Sequence, residues 1–155
     1  MRSSFQSSLN NLREWEGFAS NDPDDEGKET VYGIARVFHP DIPWPPTWEQ
    51  AKAIYLTDYW IKGGCDALPF PLDVLHFDSC VNPGIGAAIR FLHDSGEHKD
   101  PNRRAVEYID LRLRYYLGAI RRRPVALKYL AGWMDRSLDI LERTVLTTWS
   151  LEAIL

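Results

Sequence analysis

The sequence predicts a mainly α-helical protein with a very small β region, and three observations carry this prediction. Apolar residues recur every three to four positions over several long segments, which is typical of helices that bury one face. A capping box begins one of these segments. Residues 30–34 form a short β-prone segment that contains a glycine. The 155 residues favour a single domain with a proper hydrophobic core, because no repeat or long linker divides them.

The first predicted helix covers residues 4–17. Its apolar stripe consists of Phe5, Leu9, Leu12 and Trp15. Gly17 is well placed to end the helix, because glycine is favoured just beyond a helix C-terminus. Glu16 therefore falls on the last turn, beside a Trp15 face that is expected to be buried.

An irregular region follows the first helix. Residues 20–30 are rich in turn-forming residues and predict a loop. Residues 30–34 predict either a small strand or the lead into a helical turn. Residues 39–46 contain four prolines and predict irregular structure, because proline removes a backbone donor and fixes φ.

Two more helices are predicted in the middle of the chain. Thr47 is the N-cap of the first, with Gln50 at the third helical position of a capping box, and that helix runs to Gly63 and Gly64. The next helix begins after Pro69 or Pro71. It is expected to be interrupted at residues 82–84 and to continue through Leu92.

The C-terminal part also predicts helices. Residues 94–102 form a polar loop, which separates residues 1–93 from a helical C-terminal subdomain at residues 94–155 that packs with the first part as one unit. A clean apolar stripe runs from Val106 to Ile120. Pro124 predicts the first turn of a last long helix, because proline is tolerated at that position.

Composition excludes several function classes. The net charge of −4 argues against non-specific binding of nucleic acid, which needs a basic surface. Residues 1–10 lack the apolar stretch of a signal peptide, and no apolar run is long enough to span a membrane, so neither is expected. Cys65 and Cys80 match no metal-ligand spacing, and two inert core thiols are favoured over a disulfide.

The four histidines show no zinc-ligand spacing with acids or cysteines, and no metal or cofactor is predicted.

An acidic stretch from Glu16 to Glu29 is the strongest candidate for chemistry, with six carboxylates in fourteen positions. A carboxylate at the C-terminus of a helix meets the negative end of the dipole, which raises its pKa as a general acid requires. A solvated acidic loop is the simple alternative. A calcium loop beginning at Asp22 is a second alternative, but its twelfth position is Gly33, where a bidentate Glu is required.

The stretch from Glu16 to Ile34 resembles the signature of glycoside hydrolase family 108, approximately E-G-G-Y-x-N-D-P-x-D-x-G-G-x-T-x-Y-G-I, without a gap. Two later pieces agree with the family: the D-x-x-V-N-x-G-x-x-x-A segment from Asp78 to Ala88, and Gly132-Trp133 followed by Arg136. The resemblance implies a lysozyme-like fold and N-acetylmuramidase activity, with residues 1–93 as the catalytic region. Residues 94–155 resemble a peptidoglycan-binding segment.

The resemblance also assigns catalytic roles. It places the catalytic acid at Glu16. The spacing E-x8-D-x4-T is similar to the Glu-Asp-Thr triad of phage-type lysozymes, which by analogy makes Asp25 the residue that positions a water molecule and Thr30 the residue that helps to orient it. The alternatives for the second carboxylate are Asp22, Asp24 and Glu29. Retaining and inverting chemistry remain equally open, because they differ in the carboxyl separation.

Two further residues are candidates for substrate binding. Tyr32 either contacts a sugar or is a packed ring in a turn. Asn82 either holds an N-acetyl group or bonds to the backbone near Pro83, whereas a structural role is favoured for Asp78.

The chain departs from the family signature at Phe18, Ala19 and Lys28, which leaves an inactive lysozyme-like binding module as the alternative function. The implied partner is a peptidoglycan glycan strand. The implied biology is either a phage endolysin or a bacterial cell-wall hydrolase that acts after leaving the cytoplasm.

Overall fold

The computed structural model describes residues 2–15, 19–21 and 29–146, and it confirms a mainly α, lysozyme-like architecture. The helices are α1 (Arg2–Trp15), α2 (Trp48–Ile54), α3 (Leu72–Ser79), α4 (Ile85–Asp94), α5 (Pro101–Arg122) and α6 (Leu130–Leu141). The strands are β1 (Ala19–Asn21), β2 (Glu29–Val31) and β3 (Ile34–Ala35). Within these ranges, no helix is both long and apolar enough to cross a membrane.

The β region is one antiparallel sheet in the order β1-β2-β3. Val31 pairs with Ile34 across a two-residue turn formed by Tyr32 and Gly33, whose φ angles are 51° and 72°. Positive φ at both central residues is the geometry that matches the twist of a tight hairpin. The strand interpretation of residues 30–34 is therefore correct, and Gly33 supplies the turn.

Helix α1 begins at Arg2, two residues earlier than predicted. Leu9 and Leu12 are buried as expected, but the expectation of a buried Trp15 is wrong, because 37% of this residue is exposed. Its indole Nε1 instead donates a hydrogen bond to Asp139 Oδ2 on α6, at 2.9 Å. An indole with one polar atom is well suited to such a half-buried position, and the partner lies 124 residues away in sequence.

The capping box at the start of α2 is confirmed. The Gln50 backbone N–H donates to Thr47 Oγ1 at 3.3 Å, and the Thr47 backbone N–H donates to Gln50 Oε1 at 2.8 Å. These two hydrogen bonds satisfy two backbone donors that a helix N-terminus otherwise leaves without partners. Further along, α2 continues into a π-helical segment at Tyr55–Ile61.

Helix α3 lies at the centre of the fold, and all eight of its residues are buried. Phe77 belongs to a core formed with α1 and α2, whereas Leu72, Val74 and Leu75 belong to a second core formed with α4 and α5. A helix with neighbours on all sides must satisfy its polar side chains internally. The polar residues of α3 therefore make the contacts described below.

One expectation about helix boundaries is confirmed. The helical path is interrupted at residues 82–84: Pro83 lies in a π-helical turn at Cys80–Gly84, and Gly84, with φ 92° and ψ 155°, leaves the helical conformation before α4 begins at Ile85. Pro83 has no N–H to donate, and glycine tolerates the positive φ. A second expectation is corrected. Pro124 begins a short 3-10 helix, Pro124–Tyr129, and the last α-helix starts only at Leu130.

The C-terminal helices pack directly against α3. Arg112 of α5 and Arg136 of α6 both form ion pairs with Asp78. Loop residues 95–100 separate α4 from α5, where Asp100 accepts a hydrogen bond from the Asn102 backbone as the N-cap. The division of the chain at residues 93 and 94 stays a prediction.

Candidate functional site

The predicted catalytic residues are only partly within the described structure. Glu16 and Asp25 lie outside the described residues, as do the competing carboxylates Asp22 and Asp24. Thr30, Tyr32, Asn82 and the third competitor, Glu29, are within it. The roles of Glu16 and Asp25 therefore stay predictions.

Thr30 lies at the centre of the three-stranded sheet. On one side it pairs with Ser20 of β1, and on the other with Ala35 of β3. The middle strand of a sheet is held by ladder hydrogen bonds on both edges, so its backbone is the best fixed of the three. The half-buried Thr30 thus occupies a rigid position, as a residue that orients a water molecule would require.

Glu29 is held by two partners. Arg36 Nη1 donates to one carboxylate oxygen at 2.9 Å, and Trp44 Nε1 donates to the other at 2.7 Å. These two hydrogen bonds, that from Arg36 first, lower the pKa of Glu29 below its usual value. A carboxylate with a lowered pKa stays ionised near neutral pH and is unsuited to be the proton donor. Its contacts connect β2 to the proline-rich segment.

Tyr32 is packed in the hairpin turn. Its ring meets that of Trp48 edge to face, with centroids 5.5 Å apart, and its carbonyl oxygen accepts a hydrogen bond from the Tyr55 hydroxyl at 2.7 Å. The Arg13 guanidinium lies 5.4 Å from the centre of the Trp48 ring. These contacts match the structural interpretation of Tyr32, in which the ring fastens the sheet to α1 and α2.

Asn82 lines an aromatic pocket of about 310 Å³. The other lining residues come from α5, α6 and the turns beside them: Pro83, Tyr115, Tyr116, Ala119, Tyr129 and Trp133. The rings of Tyr116 and Trp133 are stacked, with centroids 4.7 Å apart and planes inclined by 17°. Flat apolar walls with an amide at one side suit a ligand that has an apolar face and polar edges.

A chain of hydrogen bonds fixes the orientation of the Asn82 amide. The buried Arg112 donates from Nε to the Tyr116 hydroxyl oxygen at 2.9 Å, and the hydroxyl lies 2.6 Å from Asn82 Oδ1. Arginine has no acceptor, so the Tyr116 oxygen must accept from it and direct its own proton to Asn82. Burial raises the pKa of Tyr116, which keeps that proton in place. Asn82 therefore uses its oxygen within the protein and has its NH₂ as the remaining amide donor.

Asp78 supports this chain from within the core. One of its oxygens accepts from Arg112 Nη1 at 2.6 Å, and the other accepts from Arg136 Nε at 3.0 Å. Burial by itself would raise the pKa of Asp78, but the charges of Arg136 and Arg112 outweigh it and lower the pKa. The carboxylate is only 5% exposed and does not line the pocket, so its role is structural rather than in the cleft.

Helix α6 connects the aromatic pocket with the end of α1. Trp133 lines the pocket. Asp139, six residues further along α6, accepts the hydrogen bond from the Trp15 indole. Arg143 adds an ion pair to Glu14 at 2.8 Å. Six residues correspond to roughly 9 Å along a helix axis. The pocket and the helix end that precedes Glu16 in sequence are therefore held by the same short helix.

Sequence reasoning missed most of this pocket. Of its lining residues only Asn82 was singled out for binding, whereas Tyr116 looked like an ordinary member of an apolar stripe and Tyr129 drew no prediction. Trp133 was noticed as part of a sequence motif but received no role. A useful signal is the cluster of aromatic residues near both ends of the segment from Tyr115 to Trp133, although aromatic stripes are usually core.

The structure also brings together three buried residues that the sequence does not connect. The side chains of Cys65, His76 and Cys80 meet between α3 and the segment that follows α2. Both cysteines are free thiols.

Comparisons with known proteins agree with this architecture. The sequence profile of the family described as glycosyl hydrolase 108 matches residues 9–84, which include the acidic stretch and Asn82. The solved structure of SagA from Brucella abortus superposes with a TM-score of 0.77 over 92% of this chain and 94% of that chain, at 20% identity. At that identity the likeness concerns the fold. Among proteins with curated functions, none matches this sequence.

Proposed function

The chain belongs, through residues 9–84, to glycosyl hydrolase family 108, and from this premise we propose that it is an N-acetylmuramidase. Membership supports the broad class of a glycosidase that acts on peptidoglycan. The finer proposal is hydrolysis of the β-1,4 bond between N-acetylmuramic acid and N-acetylglucosamine. The observation that carries it is the family match across the stretch from Glu16 to Ile34.

In the proposed mechanism, Glu16 protonates the glycosidic oxygen as the bond to the leaving sugar breaks. The resulting positive charge on the other sugar is oxocarbenium-like and needs a nearby carboxylate or a water molecule to complete the reaction. Asp25 positions that water and Thr30 orients it. The central position of Thr30 in the sheet supports this assignment, and the competitor Glu29 is less available for the role of Asp25 because both of its oxygens accept hydrogen bonds from Arg36 and Trp44.

The aromatic pocket is proposed to bind an N-acetylated sugar of the glycan strand. Tyr116 already occupies Asn82 Oδ1, so the Asn82 NH₂ group is the donor suited to the carbonyl oxygen of an acetamido group. The Trp133 ring, stacked on Tyr116, is suited to the apolar face of a pyranose ring. In this proposal the protein acts on the cell wall after release from the cytoplasm, as a phage endolysin does.

The test compares lysis of a peptidoglycan suspension by the wild type and by Glu16→Gln. Loss of a general acid costs about 10²–10⁴-fold in rate, so the variant is expected to clear the suspension at least a hundred times more slowly. Glu14→Gln is the matched control, because Glu14 lies two residues earlier and is ion-paired with Arg143 at the surface. Equal activity of the Glu16→Gln variant and the wild type would rule out Glu16 as the acid.

Two further measurements test which bond is cleaved and whether the protein is an enzyme or an inactive binding module. Mass spectrometry of the released fragments should find N-acetylmuramic acid at the new reducing ends; N-acetylglucosamine there would contradict the proposed bond. If the folded wild type sediments with peptidoglycan but releases no fragments, the inactive binding module is the correct function. In that case Trp133→Ala should weaken the sedimentation while Glu16→Gln leaves it unchanged.

A further inference from the structure

Outside the proposed active site, three side chains with metal-binding groups converge in the core. Cys65 begins a short 3-10 helix, Cys65–Ala67, while His76 and Cys80 are four residues apart and therefore share one helix face. One ligand atom from each residue lies within 4.8 Å of the other two, and all three residues have no solvent exposure. We propose that Cys65, His76 and Cys80 form a buried structural site for a thiophilic cation, with Zn²⁺ as the cation that fits best.

Gly63 supplies the space beside the two sulfur atoms. A Cβ atom at this position would lie 2.7 Å from Cys80 Sγ and 3.4 Å from Cys65 Sγ. The first distance is a clash, so any larger residue would press on the sulfur pair. The two sulfurs therefore approach each other beside a backbone position that lacks a side chain.

His76 already has the surroundings of a metal ligand. Its Nε2 lies 3.0 Å from the Gly63 carbonyl oxygen, and its Nδ1 lies 3.0 Å from the Tyr108 hydroxyl. A metal-bound histidine uses one nitrogen for the metal and donates from the other to a carbonyl or similar acceptor. Binding replaces one of these two contacts and keeps the other as the bond that orients the ring.

Both cysteines are free thiols, so each can supply a sulfur ligand once it is deprotonated. The thiolate is the form that binds metal. When Zn²⁺ binds, both S–H bonds break, two Zn–S bonds form and the two protons leave to water.

The donor set and its charge select the cation. Two sulfurs and one imidazole nitrogen, with no carboxylate among them, favour zinc or copper(I) over magnesium or calcium. Zn²⁺ with two thiolates is neutral, whereas copper(I) leaves a net negative charge in the core, and burying an uncompensated charge is costly. Because none of the three ligands is exposed, substrate would have no access to a bound cation, which argues for a structural rather than a catalytic site.

The experiment loads the site by refolding, because the ligands are closed off from solvent. The full chain is unfolded in a phosphine reductant, refolded with one equivalent of Zn²⁺ and dialysed, and native mass spectrometry then counts the bound metal. One Zn²⁺ per chain is expected, with both thiols protected from alkylation until a chelator and denaturant are added. At free Zn²⁺ of about 100 times Kd, the midpoint of thermal unfolding should rise by roughly 5–10 °C.

Zn²⁺ retention is measured in the same way for two histidine variants. His93→Asn alters a histidine whose side chain is 86% exposed and should retain the full equivalent of Zn²⁺. His76→Asn should lose it. Wild-type protein that refolds without retaining Zn²⁺, or whose thiols alkylate equally fast with and without Zn²⁺, overturns the proposal even if the His76 variant fails to fold. Peptidoglycan lysis is not a readout here, so this test and that of the proposed function fail independently.

Discussion

Replacing Asp78 by Asn tests whether the buried ion cluster holds α3, α5 and α6 together. The wild-type carboxylate lies between Arg112 and Arg136, at 2.6 Å and 3.0 Å, and all three side chains are almost completely buried. The substitution preserves size but removes the negative charge that Arg112 and Arg136 share, and it replaces one of the two acceptor oxygens by an NH₂ donor. Two guanidinium groups would then stay buried beside a neutral amide.

The expected loss of stability follows from this burial. Removing one partner of a buried ion pair costs about 3–5 kcal/mol, because the remaining charge is desolvated without compensation. For a chain of this length, that corresponds to a fall of roughly 6–20 °C in the midpoint of thermal unfolding. The typical stability of a domain is about 5–15 kcal/mol, so the variant should keep only part of it.

The assay is equilibrium unfolding in urea at neutral pH, followed by tryptophan fluorescence. Asp110→Asn is the matched control, because Asp110 forms a surface ion pair with Arg114, four residues away on α5. Exposed pairs of this kind are worth about 0–1 kcal/mol. An Asp78→Asn midpoint no lower than that of Asp110→Asn would refute the argument that the cluster stabilises the interface.

The pH dependence of the stability difference between wild type and Asp78→Asn tests the same ion cluster. The folded-state pKa of Asp78 is lowered relative to its unfolded value, so its contribution is present above the unfolded pKa of about 3.9 and is lost as pH falls through the folded pKa. The difference in stability between wild type and Asp78→Asn should therefore be constant above about pH 5 and shrink as the solution is made more acidic than the unfolded pKa. A difference that grows on acidification would contradict this sign.

Three other predictions follow from single contacts. Thr47→Ala removes the capping box of α2 and should lower the free energy of unfolding in urea by about 0.5–2 kcal/mol. Thr57→Ala is the comparison and should lower it by less, because the Thr57 hydroxyl donates to the Ala53 carbonyl one turn earlier. Gly63→Ala introduces a clash with Cys80 Sγ and the Tyr59 carbonyl and should cost about 1–3 kcal/mol; a stabilised variant would contradict the close packing. Tyr116→Phe leaves the buried Arg112 Nε without its acceptor and should cost about 1–3 kcal/mol, and unchanged stability would show that the hydroxyl is not needed.

Much of the fold was predictable because its determinants are local. The stripe of α1, the capping box at Thr47 and the turn at Gly33 each depend on residues within a few positions of one another. The same holds for the family signature, a contiguous stretch that names a function without reference to any distant residue. Glu16 and Asp25 remain predictions of that local kind.

The clearest error has a physical origin. Trp15 was expected inside because its spacing matches the apolar stripe, yet its indole is bonded to Asp139 on a helix far away in sequence. That outcome depends on a neighbour that the local pattern does not contain. The interruption at residues 82–84 was predicted correctly, because proline and glycine act on the backbone locally.

The sequence by itself determined the fold class, most helices and the family, because helix periodicity, caps and turn residues act over a few positions. Only the tertiary structure decided that Asn82 shares a pocket with Tyr116 and Trp133, that Asp78 joins two arginines, and that Cys65 meets His76 and Cys80. These groups come from different elements, and their meeting is set by how α3 is enclosed by α1, α5 and α6. Contacts of that kind depend on how the whole chain packs, so they cannot be inferred from the spacing of residues in the sequence.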